Sequence, residues 1–415
     1  MNMVCGENQC TGCMACLETC SRDAIRIIDQ LKNYNAIIDS NKCINCGACH
    51  RVCQNNEPVK AIEPIAWYQG WSESEEQRKT SSSGGFAATL IERFIEDDGI
   101  VCSCVFKDGV FGFDFADSKN DIAKFVGSKY VKSNPVGIYK KISSLLREGR
   151  KVLFIGLPCQ AAAVKSFVGE HLDSNLYLVD LICHGSPSPK HIEQFLRESG
   201  YQLKALKTVS FRKKDVFRVM QNERYVENSG VYDCYTLAFL NCINYTENCY
   251  SCKYAKLERV SDITIGDSWG SELSKDEQRK GISLALCQTE KGIDLLKKSN
   301  VALFPVDKET AIAHNHQLER PSQMPKTYGT FFKALQEKKT YKDAVKIALP
   351  RTYCNQQIKK LLIKIKAIPI GGGYRISLIQ KEPNKNKRRY GVMKKILFVR
   401  TVPYDFNANT YNVQG

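Results

Sequence analysis

The chain has 415 residues, 43% of them hydrophobic, and a formal net charge of +16. That length is enough for two or three domains with a sizeable buried core. A mean hydropathy of −0.33 and the lack of an apolar run of about 18 residues argue against a membrane-spanning protein. No apolar h-region follows the start, so no secretory leader is expected, and nineteen cysteines in a large chain of this kind point to metal binding or redox chemistry rather than disulfides.

The charge is unevenly placed. Residues 1–330 carry 41 basic and 40 acidic side chains, whereas residues 331–415 carry 19 and 4. The main body is thus neutral and no nucleic-acid partner is expected. The basic character belongs to a C-terminal appendage.

In chain order, the first feature is a doubled cysteine pattern within residues 1–63. Cys10, Cys13, Cys16 and Cys20 follow C-x2-C-x2-C-x3-C, and Cys43, Cys46, Cys49 and Cys53 repeat it. This is the spacing of two 4Fe-4S clusters, in which three close thiolates hold one cubane and the fourth comes from the other repeat. Cys10, Cys13, Cys16 and Cys53 then form one set, and Cys43, Cys46, Cys49 and Cys20 the other. Gly12, Ala15, Gly47 and Ala48 leave room for the backbone near the sulfides. A zinc module is the bland alternative, but zinc sites favour paired C-x2-C with wider gaps. The proline that usually follows the fourth cysteine is missing, with Ser21 and Gln54 in its place. Cys5 lies outside the pattern and reads as a free thiol.

Residues 64–80 are Ser/Glu-rich and read as a linker. From Ser81 the sequence alternates helix-like and strand-like segments. Phe86, Leu90, Ile91, Phe94 and Ile95 share one helical face, Ile100–Phe106 reads as a strand, and Asp108-Gly109 as a hairpin turn into Val110–Phe115. Lys151–Ile155 and Leu176–Ile182 are further strands around a helix at Ala161–Phe167. The rhythm predicts a multidomain α/β (α+β) chain, a small ferredoxin-like module followed by a mixed α/β domain over residues 81–330.

A second cysteine group is scattered through that domain. Cys159 follows Gly156-Leu157-Pro158, so it falls in the first turn of a helix, where the dipole favours a thiolate. Cys183 ends the next strand, and Cys249 and Cys252 precede the strand Ile263–Ile265. If the strands are parallel neighbours, these thiols meet at the C-terminal sheet edge. Spacing leaves two readings open: a four-thiolate site, or a reactive Cys159 with the others buried as small hydrophobes.

Ser82-Ser83-Gly84-Gly85, Gly156-Leu157-Pro158-Cys159-Gln160, Cys183-His184-Gly185, Cys249-x2-Cys252 and Ile265-Gly266-Asp267-Ser268-Trp269-Gly270 occur in that order. Together they resemble the coenzyme F420 hydrogenase/dehydrogenase beta-subunit family, here behind a ferredoxin-type domain, over roughly residues 1–330. The resemblance implies an iron–sulfur flavoprotein with FAD, a third 4Fe-4S cluster on Cys159, Cys183, Cys249 and Cys252, and F420 as one acceptor the family uses. Relatives reduce other substrates, so the family name does not fix the substrate.

The residues bear on the flavin as follows. Ser82, Ser83, Gly84 and Gly85 open a helix whose free N–H groups suit a pyrophosphate, though a plain Ser N-cap would look the same. Lys129 and Tyr130 sit in Gly127-Ser128-Lys129-Tyr130-Val131, which also looks like a family motif. Lys129 would neutralise a phosphate or flavin charge, against the commoner fate of a solvated lysine. Asp267 and Trp269 stand at a strand end, suited to a planar ring, although Trp269 also suits a core. No G-x-G-x-x-G follows a strand. No catalytic proton donor can be named; His184 is the candidate, weighed against a structural role.

Residues 331–391 read as a basic, partly helical tail. Ile358, Leu361, Leu362 and Ile365 fall at i, i+3, i+4 and i+7 among lysines, which suits either a membrane face or packing on the main domain. Lys385–Arg389 reads as a solvated linker. Residues 392–415, from Met393-Lys394-Lys395-Ile396-Leu397-Phe398-Val399, are similar to the opening of many bacterial glycosyltransferases, which hints at a truncated fusion and a setting in polysaccharide biosynthesis.

The expected function is a cytoplasmic oxidoreductase, in reach of the inner membrane face through its tail. It would take electrons from a ferredoxin-like protein and pass them through clusters and flavin to a small molecule. The alternative is a non-catalytic electron-transfer subunit that serves a partner enzyme.

Overall fold

The computed structural model describes residues 2–368, together with the backbone of residues 374–378 and 399–403. The run Lys385–Arg389 and most of the segment 392–415 lie outside the described residues. Among the described residues no helix is long and apolar enough to cross a membrane. The N-terminal module is built on one antiparallel hairpin, β1 (Ile25–Asp29) and β2 (Tyr34–Ile38), with Ile25 opposite Ile38 and Asp29 opposite Tyr34. Each cysteine repeat runs into a short helix, Ala15–Thr19 and Ala48–Arg51.

The strands that follow are β3 (Ala66–Ser72), β4 (Ile100–Lys107), β5 (Val110–Ala116), β6 (Val152–Gly156) and β7 (Leu176–Leu181). Then come β8 (Val209–Lys213), β9 (Val216–Gln221), β10 (Arg224–Tyr225), β11 (Ile263–Asp267), β12 (Ser283–Cys287) and β13 (Val301–Pro305). Eight of them form one mixed sheet in the order β13-β3-β12-β11-β7-β6-β4-β5, and β10-β9-β8 form a small antiparallel one. The centre, β11-β7-β6-β4, is parallel, and the flanks are antiparallel. Asp108 and Gly109 both take positive φ in the β4–β5 turn, as a two-residue hairpin with right-handed strands requires.

Strand periodicity sorts the core into two layers. Val152, Phe154 and Leu178 face the helices Ile138–Arg147 and Pro158–Val168, and beyond them Cys10, Cys13, Cys16 and Tyr34 of the N-terminal module. Leu153, Ile155 and Val179 face the other way, onto helices Phe86–Glu96 and Glu290–Lys298. Successive side chains on a strand point to opposite faces, so a sheet covered on both sides needs apolar residues at every position. The all-buried β6 and β12 meet that need. A third, aromatic-rich core gathers Phe211, Tyr235, Phe331, Phe332 and Tyr341 beside the small sheet.

Two sequence expectations change here. Segment 64–80 is not a linker: it holds β3, paired between β12 and β13, and the helix Glu75–Thr80. The polar run Ser72–Glu76 hides the strand because it begins at the strand's last residue. The basic tail is not an appendage up to residue 364 either. Helices Tyr328–Gln336 and Tyr341–Ala348 place Phe331, Tyr341 and Val345 fully inside the third core, beneath a lysine-rich outer face.

Candidate functional site

The N-terminal thiols fall into two groups of different exposure. Cys10, Cys13, Cys16 and Cys53 are buried, whereas Cys20, Cys43 and Cys49 are half-buried and Cys46 is exposed. Burial raises the pKa of Cys16, and the neighbouring Cys13, Cys53, Cys49 and Cys5 add repulsion. Cys49 is raised by burial and then by Cys20 and Cys43. Cys53 thus neighbours Cys13 and Cys16, and Cys20 neighbours Cys49, while Cys16 also feels Cys49. Cys5 stands against Cys10 and Cys53; its hydrogen bonding with Cys10, then burial, pushes its thiol up to about 11.

The two repeats share one backbone. Gly12 and Asn45, both second after the opening cysteine, have φ of 68° and 55°; Met14 and Gly47, both after the next cysteine, have 64° and 70°. Glycine occupies one left-handed position in the first repeat and the other in the second, so the loop shape is kept although the residues are exchanged. Loops of this kind aim amide groups inward. Gly12 N–H donates to Cys10 Sγ, Asn45 N–H to Cys43 Sγ and Ala24 N–H to Cys20 Sγ, each at 3.4 Å. Such donors stabilise thiolate sulfur and tune iron–sulfur potentials.

The scattered cysteines come from three elements. Cys159 lies in the first turn of helix Pro158–Val168, directly after β6, and Cys183 lies just past β7, parallel to it. Cys249 and Cys252 come from the 3-10 turn Glu247–Ser251 and its end. Burial raises the pKa of Cys159 far above the thiol range; Lys132 opposes this, while Cys252, Cys183 and Cys249 add to it. Cys183 is pushed up to about 12 by burial, then by Cys249 and Cys252. Cys249 is buried and Cys159, Cys183 and Cys252 are half-buried, and the four thiols influence one another, which fits a cluster-binding set. Among the described residues no three His, Cys, Asp or Glu side chains close up to hold a single ion; a 4Fe-4S cage would instead take each thiolate on a separate iron. Ser186 N–H donates to Cys249 Sγ at 3.4 Å.

Beside Cys183 opens a cavity of about 870 Å³ at the C-terminal ends of the parallel strands, where open α/β sheets place their ligands. Every flavin-directed residue of the sequence analysis except Gly84 lines it. Gly84 lies behind the wall: a Cβ there would meet Gly70 O at 2.4 Å and Ser283 N at 2.5 Å, so only glycine fits. Gly85, with φ of 101°, caps helix Phe86–Glu96, whose first turn borders the cavity. Ser82 Oγ accepts from Ser128 N–H at 3.2 Å, tying the two expected motifs together, while Ser83 Oγ donates to Ile282 O at 2.9 Å. The Lys129 ammonium donates to Phe125 O and Val126 O, at 3.0 and 3.1 Å, and burial lowers its pKa. Tyr130 stacks on Phe239 with centroids 4.6 Å apart.

Three functional candidates escaped the sequence reading. Arg212, on β8, grips Asp267 with two hydrogen bonds of 2.6 and 2.9 Å, and its guanidinium lies 5.4 Å from the Trp269 ring. Nothing in Ser210-Phe211-Arg212-Lys213 announces this. Lys214 Nζ donates to Ser83 O at 2.9 Å, beside the serine loop, and burial lowers its pKa to about 8. Lys132 is 3% exposed and its charge opposes the pKa rise of Cys159, Cys183 and Cys252. Its position directly after the Gly127–Val131 motif was the available signal.

Residues 149–305 match the family described as the C-terminal part of the coenzyme F420 hydrogenase/dehydrogenase beta subunit. Residues 9–60 match the 4Fe-4S dicluster domain. No curated protein matches the sequence. Among solved structures, a chain of the xenon-derivatised F420-reducing NiFe hydrogenase complex from Methanosarcina barkeri is 17% identical, with 72% of this chain and 94% of that chain covered and a TM-score of 0.40. The chain therefore carries an N-terminal region similar to a 4Fe-4S dicluster domain and a central region similar to the C-terminal part of the coenzyme F420 hydrogenase/dehydrogenase beta subunit.

Proposed function

We propose that this chain is an iron–sulfur flavoprotein oxidoreductase that takes electrons from a ferredoxin-like protein and delivers them to a small molecule. The observation that carries the reading is the adjacency of the third thiol set to the large cavity, with Cys183 bordering both. Cys10, Cys13, Cys16 and Cys53 would hold one 4Fe-4S cluster, Cys20, Cys43, Cys46 and Cys49 a second, and Cys159, Cys183, Cys249 and Cys252 a third. FAD would occupy the cavity. When bound, these groups supply one-electron relay and its conversion to two-electron chemistry, which side chains alone cannot perform.

The chain's own part is binding, orientation and electrostatics. The serine loop and the first turn of helix Phe86–Glu96 offer N–H groups and a favourable dipole to a pyrophosphate. Lys214 adds a cation next to that loop. Arg212 fixes the Asp267 carboxylate and lies against the Trp269 ring. Leu181, Ile155 and Phe239 line the cavity with apolar surface, which suits an isoalloxazine ring and keeps water from it.

Anaerobic purification with iron and flavin counted per chain tests this directly. The expected result is about twelve irons and one flavin. About eight irons would remove Cys159, Cys183, Cys249 and Cys252 from the metal sites. Twelve irons without flavin would leave a plain electron carrier. Turnover of a small acceptor by the isolated chain, with F420 as the first compound to try, separates the enzyme from a subunit that only serves a partner.

A further inference from the structure

Gln54 stands directly after Cys53, where the two-cluster spacing ordinarily has proline. Its side chain is completely buried. The amide Nε2 donates to Thr11 Oγ1 at 3.0 Å and to the backbone carbonyl of Cys159 at 2.6 Å, and Oε1 accepts from the Tyr254 hydroxyl. Thr11 adjoins Cys10, and Tyr254 lies two residues beyond Cys252. One amide therefore ties the loops of Cys10 and Cys53, in the N-terminal module, to those of Cys159 and Cys252, in the α/β unit. Proline has no side-chain donor or acceptor and would make none of these bonds.

The same seam holds other buried contacts. The Tyr139 hydroxyl donates to the Cys13 carbonyl, and Ser166 Oγ donates to Val52 O at 3.0 Å. Lys132 bridges it as well, with Nζ on Thr246 Oγ1 at 2.9 Å and 5.2 Å from the Tyr34 ring. The set containing Cys46 lies on the outer side of the module, toward water.

We propose that Gln54 is the joint that holds the buried N-terminal thiol set against the third set, and that electrons reach the third set across this joint rather than from the exposed set. Gln54 acts as a positioning residue, because it touches ligand-bearing loops and not the reacting atoms. This rests on the cluster reading above. With clusters bound, the transfer would move one electron, lost by the Cys10/Cys13/Cys16/Cys53 site and gained by the Cys159/Cys183/Cys249/Cys252 site, with no bond changed and no proton moved. Under that reading a one-electron iron–sulfur carrier would supply the electron, and dithionite replaces it in the test. Electron transfer between fixed centres falls steeply with separation, so a parting of these loops by more than about 1 Å is felt in the rate.

The experiment uses the full chain, purified anaerobically with its iron, as Gln54→Leu and Gln54→Glu. Three quantities are read at neutral pH: iron per chain, the magnetic interaction between the two sites in partly reduced samples, and the rate at which the third site is reduced after mixing with dithionite. A Cys159→Ser chain identifies the third site's signal. Both Gln54 variants should keep their iron, show a weakened interaction, and pass electrons about 10- to 100-fold more slowly, the usual effect of losing an outer-shell contact. Gln54→Glu is decisive because it keeps the volume and the acceptor for Tyr254 but offers no N–H to the Cys159 carbonyl. If Gln54→Leu fails to fold or to hold iron, Gln54→Glu alone decides. Twelve irons with an unchanged rate in Gln54→Glu overturns the joint and leaves the cluster reading standing. Eight irons in the unsubstituted chain overturns the cluster reading and the joint with it.

Discussion

Arg212 shows how much of the cavity hangs on one guanidinium. It is nearly buried, with 5% of its side chain exposed, and it holds Asp267 in a two-pronged grip while lying 4.6 Å from the Phe217 ring. Burial works against the Arg212 charge, but pairing with Asp267 and with Tyr130 outweighs it and raises the guanidinium pKa. Removing one partner of such a pair leaves the other charge without compensation inside the protein. Arg212→Met should therefore destabilise the chain by about 3 kcal/mol, the lower end for buried pairs, because Asp267 keeps part of its surface in water. It should also loosen any flavin in the cavity. Arg212→Lys should recover little, because a point charge cannot grip both carboxylate oxygens. Thermal unfolding and flavin retention check this together; a loss below about 0.5 kcal/mol would mean that the pair is dispensable.

Helix Pro350–Lys364 makes the corresponding argument for an element. Its inward face carries Thr352, Asn355, Gln356 and Lys359, all lining the cavity, and Ile363, which is buried against Val231. These positions follow helical spacing. The apolar stripe read from the sequence is split, with Leu361 58% and Ile365 62% exposed while Ile358 and Leu362 are half-buried. Gln356 Oε1 accepts from Tyr232 N–H at 3.2 Å, fixing the helix over the opening. A chain ended after Leu349 should fold cooperatively, since the Phe331 and Tyr341 core is kept, and should hold its iron, yet lose flavin in gel filtration. Unchanged flavin content would show that this helix is no wall of the site. The case also marks the limit of sequence reading here. Strands β4 to β7, the β4–β5 turn and both N-terminal cysteine repeats are legible because short-range periodicity and spacing dictate them. The stripe of helix Pro350–Lys364 misleads because a cavity, unlike a core, selects polar residues for the inward face. β3 is missed because its partners β12 and β13 lie far along the chain, and Arg212 because its meaning depends on a carboxylate 55 positions away.

Across the whole molecule the thiol sets run from the exposed edge of the N-terminal module toward the cavity. The set with exposed Cys46 is outermost, the set with Cys10 is buried against the α/β unit, and the third set borders the cavity. Metal is removed fastest where solvent and chelator have access, so a mild chelator under oxygen should strip about four irons per chain in a fast phase, from Cys20, Cys43, Cys46 and Cys49, and the remainder slowly. Cys46→Ser should abolish the fast phase; a single phase for all the iron would contradict the ordering. The strand that joins module to sheet has a further consequence, for synthesis on the ribosome. β3 leaves the tunnel early but pairs only with β12 and β13, whose residues 283–287 and 301–305 are translated much later. At about 5–20 residues per second this strand waits for about 10–40 s with both edges unpaired. During that interval the cysteine hairpin ahead of it is complete while the sheet it will rest on is not. An N-terminal module that acquires its iron during the wait would present a finished surface to the closing sheet, so iron shortage in the cell should appear first as aggregation of the nascent chain through this open strand.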